Sequence, residues 1–140
     1  MMMFQSIKHK RDIRNFLDKT NSLHDGYIIG VQYVNEAITK TDSVGRFIDP
    51  DNTKLILRIL VTSMDDMVVE MEFDALSEWQ IKDKVYQKEI TDTEVFFMDG
   101  MVAWADDFYD DPLEFREGSY VIAKSMKWRI VEPSAFQTGF

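Results

Sequence analysis

The spacing of hydrophobic residues at the start of the chain follows the period of a helix. Ile13, Phe16 and Leu17 fall on one helical face, with Ile7 earlier in the chain, and charged residues fill the opposite face. The pattern predicts a basic amphipathic helix within residues 1–22 that ends near "KTNS". A basic helix face can bind a membrane or an acidic partner, but it is more often solvated, and here it can also dock on the acidic remainder of its own chain.

Beyond residue 26 the period changes to two, which is typical of strands. The stretch "GYIIGVQYV" places Ile29, Val31 and Tyr33 on one side of a first strand. Residues 35–53 contain glycine, proline and several Asp, Asn and Thr residues, a composition that predicts a long and mobile loop.

Two runs on either side of "SMDD" predict a hairpin. "LILRILV" and "VVEMEF" each place large apolar residues at alternate positions. Glu70, Glu72 and Asp74 take the other positions of the second run, so one face should be buried and the other solvated. The following "ALSEWQIKDKV" fits either a short helical turn or an irregular crossover, with Trp79 and Ile81 pointing inward.

Asp99 and Gly100, in "EVFFMDGMVAWA", give the strongest local signal in the chain. Glycine tolerates the positive φ that a two-residue type I′ turn requires, so these residues predict a tight hairpin. The expected opposed pairs are Met98 with Met101, Phe97 with Val102 and Val95 with Trp104. Both faces of this hairpin are apolar, so it should be covered on both sides, by the helix or by a second sheet.

The last predicted strand is "SYVIAKSMKWRIVE". Its expected apolar face carries Tyr120, Ile122, Met126, Trp128 and Ile130. Lys124 interrupts that face, so it should lie beside a β-bulge or reach a carboxylate, with Asp106 or Asp25 as the expected partner.

These elements predict an α+β fold. No helices alternate with the strands, which disfavours a doubly wound parallel sheet. We expect a single domain over residues 1–140, with the basic helix in 1–22, a β-rich body in 23–132 and a loosely held tail in 133–140. The helix should pack on a mostly antiparallel, strongly curved sheet of about six strands that forms a partial barrel or sandwich.

Composition and charge restrict the function. The absence of cysteine excludes disulfides, thiol nucleophiles and cysteine metal ligands. No targeting pattern or membrane-spanning window occurs, so a cytoplasmic location away from membranes is expected. The net charge is −9, yet residues 1–20 carry five basic against two acidic residues, which leaves −12 on the rest. An acidic body repels phosphate backbones, so we expect no nucleic-acid partner, and the acidity fits either ordinary solubility or a protein partner of basic character.

Acidic residues concentrate in "DDFYDDPLEFRE", residues 106–117. A calcium loop of the EF-hand type needs acidic residues at alternate positions, a glycine at the sixth and a glutamate at the twelfth. This stretch lacks the alternation and the glycine and contains a proline, so it predicts a solvated loop. No metal and no cofactor is expected.

His24 and Asp25, in "LHDGY", are the other polar concentration. A His-Asp pair can form half of a metal site, but such sites need further histidines and only His9 remains. The pair is therefore expected to fix a junction by hydrogen bonds to the backbone, with Gly26 allowing the turn. The chain has no nucleophile elbow and no glycine-rich phosphate loop, so no catalytic residue is predicted and an enzyme is disfavoured.

Four stretches, "LHDGYIIGVQYV", "VVEMEFDAL", "GMVAWADD" and "VIAKSMKWR", resemble a group of small uncharacterised bacterial proteins. The resemblance covers residues 23–131 and includes a His-Asp pair before the first strand, a Met-Glu-Phe strand and a Trp-x-Asp ending. It implies no activity, because none is assigned to that group. The matching positions that we single out as a ligand-binding set to be tested are His24, Asp25, Trp104, Asp106, Lys124 and Arg129.

Three classes of function stay open, in this order. The first is a non-enzymatic protein that binds a partner through its acidic surface, including an immunity-like inhibitor encoded beside a toxin. The second is a small-ligand or metal-binding domain centred on His24, Asp25 and Asp106. The third is a hydrolase of unrecognised type, for which no residue gives positive support.

Overall fold

The computed structural model describes residues 3–35, 50–82, 89–109, 111 and 114–132. These residues form one α-helix, α1 (Lys10–Lys19). They also form seven strands: β1 (Gln5–Ser6), β2 (Gly26–Asn35), β3 (Thr53–Val61), β4 (Met67–Gln80), β5 (Glu94–Met98), β6 (Met101–Ala105) and β7 (Tyr120–Val131). The predicted α+β class is confirmed, whereas most of the predicted loop, at 36–49, and the predicted tail lie outside the described residues.

All seven strands belong to one antiparallel sheet. Its order is β2–β3–β4–β7–β6–β5, and the short β1 pairs with β7 beside residues 127–128. The sheet is not closed or strongly curled, so the predicted partial barrel or sandwich is wrong. Closure needs a ladder between the first and last strands. In the described chain a single bridge, between Gly26 and Ile90, joins β2 to the residues before β5.

α1 is shorter than the sequence pattern predicts. Residues 5–6 form a strand instead, and the Asp12 carboxylate accepts the backbone N–H groups of Lys8 and His9 at the start of the helix. This contact satisfies donors that a helix start would otherwise leave unpaired. The apolar face packs on the sheet, where Phe16 is fully buried edge-on against Trp128, with ring centroids 5.2 Å apart.

The β3–β4 hairpin is confirmed, but its second face is not solvated. Glu70 and Glu72 are only 4% and 8% exposed, because basic side chains of the flanking strands lie against them. β4 also continues through Gln80, so residues 75–80 of the ambiguous stretch form neither a helical turn nor a crossover, and residues 83–85 of that stretch lie outside the described residues. Trp79 does not point into the core, since it is partly exposed and stacks on Tyr33.

The β5–β6 hairpin has the predicted register. Asp99 and Gly100 have φ of 51° and 75°, as a type I′ turn requires. The observed pairs are Met98 with Met101, Phe97 with Val102 and Val95 with Trp104. Each face belongs to a separate hydrophobic cluster: one contains Phe16 of α1, and the other contains Phe115, from the segment between β6 and β7. The cover on the second face is therefore this segment, not a second sheet.

The predicted apolar face of β7 is correct only in its second half. Met126 and Trp128 lie in the main core, but they are joined there by Val121 and Ala123, while Tyr120 and Ile122 lie in the second cluster. The alternation shifts where Lys124 and Ser125 are both exposed. Opposite them in β4, Ala75 has a left-handed φ of 58°, and the register of β4 with β7 shifts just beyond it, between Leu76 and Glu78.

Candidate functional site

His24 and Asp25 lie at a tight junction between α1 and β2. The chain reaches them through Asn21–Leu23, where three successive residues have φ of 53°, and Asp25 has φ of 57°. A Cβ atom on Gly26 would lie 2.6 Å from the Leu23 carbonyl oxygen, so this position needs glycine for space.

The junction is held mainly by backbone groups. Ser63 Oγ donates to the His24 carbonyl oxygen at 2.6 Å, and Thr62 Oγ1 donates to the Asp25 carbonyl oxygen at 2.9 Å. His24 Nδ1 is 2.6 Å from the Thr91 carbonyl oxygen. These contacts join α1, the β3–β4 turn and the residues before β5, as expected for a structural junction.

The electrostatic environment of His24 favours its charged form. The hydrogen bond to the Thr91 carbonyl is the main cause, and the Asp25 carboxylate, 3.6 Å from His24 Nε2, adds to it, so the pKa of His24 is raised above its usual value. Both side chains are more than two-fifths exposed. The pair therefore stays accessible to solvent.

Asp106 begins the segment between β6 and β7 and has a different set of contacts. Its Oδ1 accepts a hydrogen bond from the Tyr109 hydroxyl at 3.2 Å, and its backbone N–H donates to the Ser119 carbonyl oxygen. Burial, reinforced by the Asp106 carboxylate, raises the pKa of Tyr109. A Cβ atom on Gly118 would collide with both side chains, so the two ends of the segment are in close contact.

Three of the six predicted site residues have surroundings outside that set: Lys124, Arg129 and Trp104. Lys124 Nζ lies 2.6 Å from Asp51, not from Asp106 or Asp25 as predicted, and both side chains of this pair are more than 60% exposed. Arg129 binds Glu70 at 2.9 Å. Trp104 is completely buried, and its indole Nε1 forms no hydrogen bond in the described part of the chain. Of the six residues singled out from the sequence, the structure joins His24 to Asp25 directly, and the ligand-binding role of the set stays a prediction.

Glu70 and Glu72 lie at the centre of a row of ion pairs on the outer side of β3, β4 and β7, which we call the ionic ladder. Glu70 contacts Arg58 at 3.0 Å and Arg129 at 2.9 Å. Glu72 contacts Lys54 at 3.1 Å and Lys127 at 2.8 Å. Burial alone would raise the pKa of Glu72, but the two lysines outweigh it and the pKa is lowered. This ladder is a structural feature, and Phe4 covers it with its ring 4.4 Å from the Arg129 guanidinium carbon.

The segment between β6 and β7 presents an acidic surface that we call the acidic patch, composed of Asp107, Phe108, Asp111, Glu114 and Glu117. Asp111, Glu114 and Glu117 are exposed, and Asp107 is half-buried. Phe108 follows Asp107 in the chain and is 61% exposed. An exposed aromatic ring next to a charged side chain is a feature that contact surfaces use as an anchor.

The acidic patch is held on the sheet by Phe115. This ring is 2% exposed and packs edge-on against Phe96 and Tyr120, with centroids 5.3 and 5.4 Å apart. Ala103 and Ala105, on the middle strand of this face, belong to the same cluster. Their small side chains leave room for the ring.

An ion pair beside Phe115 adds a second attachment. Arg116 donates to Glu78 of β4 from Nε and from the terminal nitrogen, at 3.0–3.2 Å, and Tyr120 donates to Glu78 at 2.9 Å. The Arg116 hydrogen bonds lower the pKa of Glu78. Gln80 donates to the Arg116 and Gly118 carbonyl oxygens, so side chains of β4 hold this end of the segment.

Sequence reasoning missed Phe108 as an exposed ring and Phe115 as an anchor. One signal was present: two alanines on an otherwise large-residue strand face indicate that a bulky side chain packs above them. The Arg116–Glu78 pair, 38 residues apart, had no local signal.

The described part of the chain contains neither a cluster of metal ligands nor a helix that could span a membrane. No three His, Asp or Glu side chains there come together as metal ligands. No helix in that part is both long and apolar enough to cross a membrane. Comparison of the chain with protein-family models, curated protein sequences and solved structures gives no match.

Proposed function

We propose that this protein is a non-enzymatic interaction protein whose acidic patch binds a basic partner protein. The observation that supports this most is the 61% exposed ring of Phe108, next to Asp107, on a segment whose described residues Asp106, Phe115 and Arg116 are attached to the rest of the fold. A fixed segment loses little conformational entropy on binding, so its contacts contribute more of their energy to affinity.

The two components of the patch have different roles. The carboxylates attract a positively charged surface from a distance and orient it, which raises the association rate. Burial of the Phe108 ring then supplies short-range affinity, since aromatic anchors dominate the binding energy of many interfaces. An immunity-like inhibitor of a basic toxin is one protein class that combines these features.

Affinity capture from the native host at low and at moderate ionic strength tests the proposal. The attraction between exposed charges is screened over about 8 Å at physiological ionic strength, so a basic partner should be recovered in larger amounts at low salt. Recovery of only acidic proteins, or of proteins in equal amounts at both ionic strengths, would contradict the proposal.

A further inference from the structure

α1 carries an exposed basic surface that the acidic patch does not explain. We call it the basic helix face, composed of Lys8, Lys10, Arg11 and Arg14. All four side chains are exposed, and none forms an ion pair with the described residues. This face has the opposite charge to the −12 carried by residues 21–140.

The other side of α1 is already occupied. Phe16 is fully buried, and Ile13 and Leu17 pack against the main core. The helix therefore cannot turn an apolar face toward a lipid layer or a hydrophobic groove. Contact with another molecule must use the charged side chains, which requires an acidic surface.

The acidic patch of the same molecule lies on the opposite side of the sheet. Along β6, Val102 and Trp104 point into the cluster that contains Phe16 of α1. Ala103 and Ala105 point into the cluster that contains Phe115, which holds the acidic patch. Because successive side chains of a strand point to opposite faces, the sheet separates the two charged surfaces. The basic helix face and the acidic patch can meet only between two molecules.

We propose that the basic helix face binds the acidic patch of a second copy of this chain. The contact joins two different surfaces, so a pair of copies keeps one free surface of each sign. Such head-to-tail contacts form rings or open chains. This inference does not depend on the existence of a basic partner protein.

The salt dependence of this association has a distinctive form. Each copy has a net charge of −9, so at about 0.01 M salt, where the screening length is about 30 Å, the whole molecules repel each other. At about 0.1 M the length falls to about 10 Å, which screens this repulsion and leaves the contacting charges attractive. At about 1 M it is about 3 Å, and the contact itself weakens. Association should therefore be greatest at intermediate salt.

Sedimentation velocity over a wide range of protein concentration measures this association. We expect the average sedimentation coefficient of the wild-type protein to rise with concentration near 0.1 M salt and to stay at the monomer value near 0.01 M and 1 M. A constant monomer value at all three ionic strengths would overturn the proposal. Association that increases steadily with salt would overturn it as well, because that is the behaviour of apolar contacts.

Charge reversal identifies the two surfaces. The variants Arg11→Glu/Arg14→Glu and Glu114→Lys/Glu117→Lys should each be monomeric alone, because in each variant one of the two surfaces falls from four like charges to no net charge. An equimolar mixture of the two should associate again, since each then offers the surface that the other lacks. The control Lys82→Glu/Lys124→Glu changes the net charge by the same amount as Arg11→Glu/Arg14→Glu, at exposed positions outside α1, and should associate like the wild type.

The mixture decides between a specific contact and a general charge effect. If it stays monomeric while both variants are folded by circular dichroism, the proposed pairing is wrong. If a variant fails to fold, the salt profile of the wild-type protein still tests the association. Capture of a basic host protein tests only the proposed function, so either idea can fail without the other.

Discussion

Replacement of Phe115 by alanine should remove the main apolar attachment of the acidic patch. An aromatic side chain buries roughly 150–250 Å², which at about 25 cal/mol per Å² corresponds to about 4–6 kcal/mol as an upper limit. Core Phe→Ala changes cost about 3–5 kcal/mol. Phe115 belongs to the smaller cluster and not to the main core, so we expect the low end, about 3 kcal/mol, with the two edge-on ring contacts included.

Urea denaturation followed by tryptophan fluorescence measures this loss. With a typical dependence of about 2 kcal/mol per M, the midpoint should fall by about 1.5 M. Phe108→Ala is the matched control, because it removes the same side chain from the same segment at a position that is 61% exposed. It should change the free energy of unfolding by less than about 0.5 kcal/mol. Equal losses for the two variants would refute the assignment of Phe115 as the anchor.

Three further predictions concern the remaining features. Arg129→Met should lower the free energy of unfolding in urea by about 1.5–3 kcal/mol, because it removes a charged hydrogen bond from the buried Glu70. Lys124→Met, at an exposed ion pair, should change it by less than about 0.5 kcal/mol, and a larger loss for Lys124→Met than for Arg129→Met would be evidence against the ionic ladder. Gly100→Val should lower the free energy of unfolding in urea by about 1–2 kcal/mol, because the residue must keep φ of +75° although a Cβ atom there meets no other atom within 4 Å; an unchanged midpoint would contradict the turn. Folding raises the pKa of His24, so the charged imidazole stabilises the fold at pH values below its usual pKa near 6.5, and this stabilisation is lost as pH rises through the higher pKa of the folded state. Plots of unfolding free energy against pH for the wild type and His24→Gln should therefore converge above the folded-state pKa, and parallel plots would contradict this.

The parts of the fold with local chemical causes could be predicted from the sequence. Asp99 and Gly100 determine the turn, the turn determines the register of β5 with β6, and the register assigns each side chain to a face. The helical spacing of Ile13 and Phe16 likewise indicates the buried side of α1. In each case residues within one element decide the outcome.

The parts that depend on contacts between distant residues could not be predicted. The sequence predicts that Lys124 reaches Asp106 or Asp25, but the alternation of β7 changes opposite the left-handed Ala75, so Lys124 is exposed and pairs with Asp51. Glu70 and Glu72 occupy positions that alternation assigns to solvent. They are buried because basic residues from β3 and β7 flank them, and this depends on strand order.

The candidate site also has some features that the sequence predicts and others that depend on contacts between distant residues. Its acidic character and its position after β6 follow from the sequence directly. The exposure of Phe108 and the burial of Phe115, seven residues later, do not, because both lie in the same polar stretch. What separates them is the space above Ala103 and Ala105, which only the assembled sheet provides.

The most direct test of the acidic patch is a parallel capture experiment with four forms of the protein. The wild type, Phe108→Ala, Glu114→Lys/Glu117→Lys and the control Asp92→Lys/Glu132→Lys are immobilised in equal amounts and exposed to one host extract at low salt. We predict that the wild type and the control recover the same basic protein and that the two patch variants lose it. Recovery of the same proteins by all four forms would contradict the proposed function.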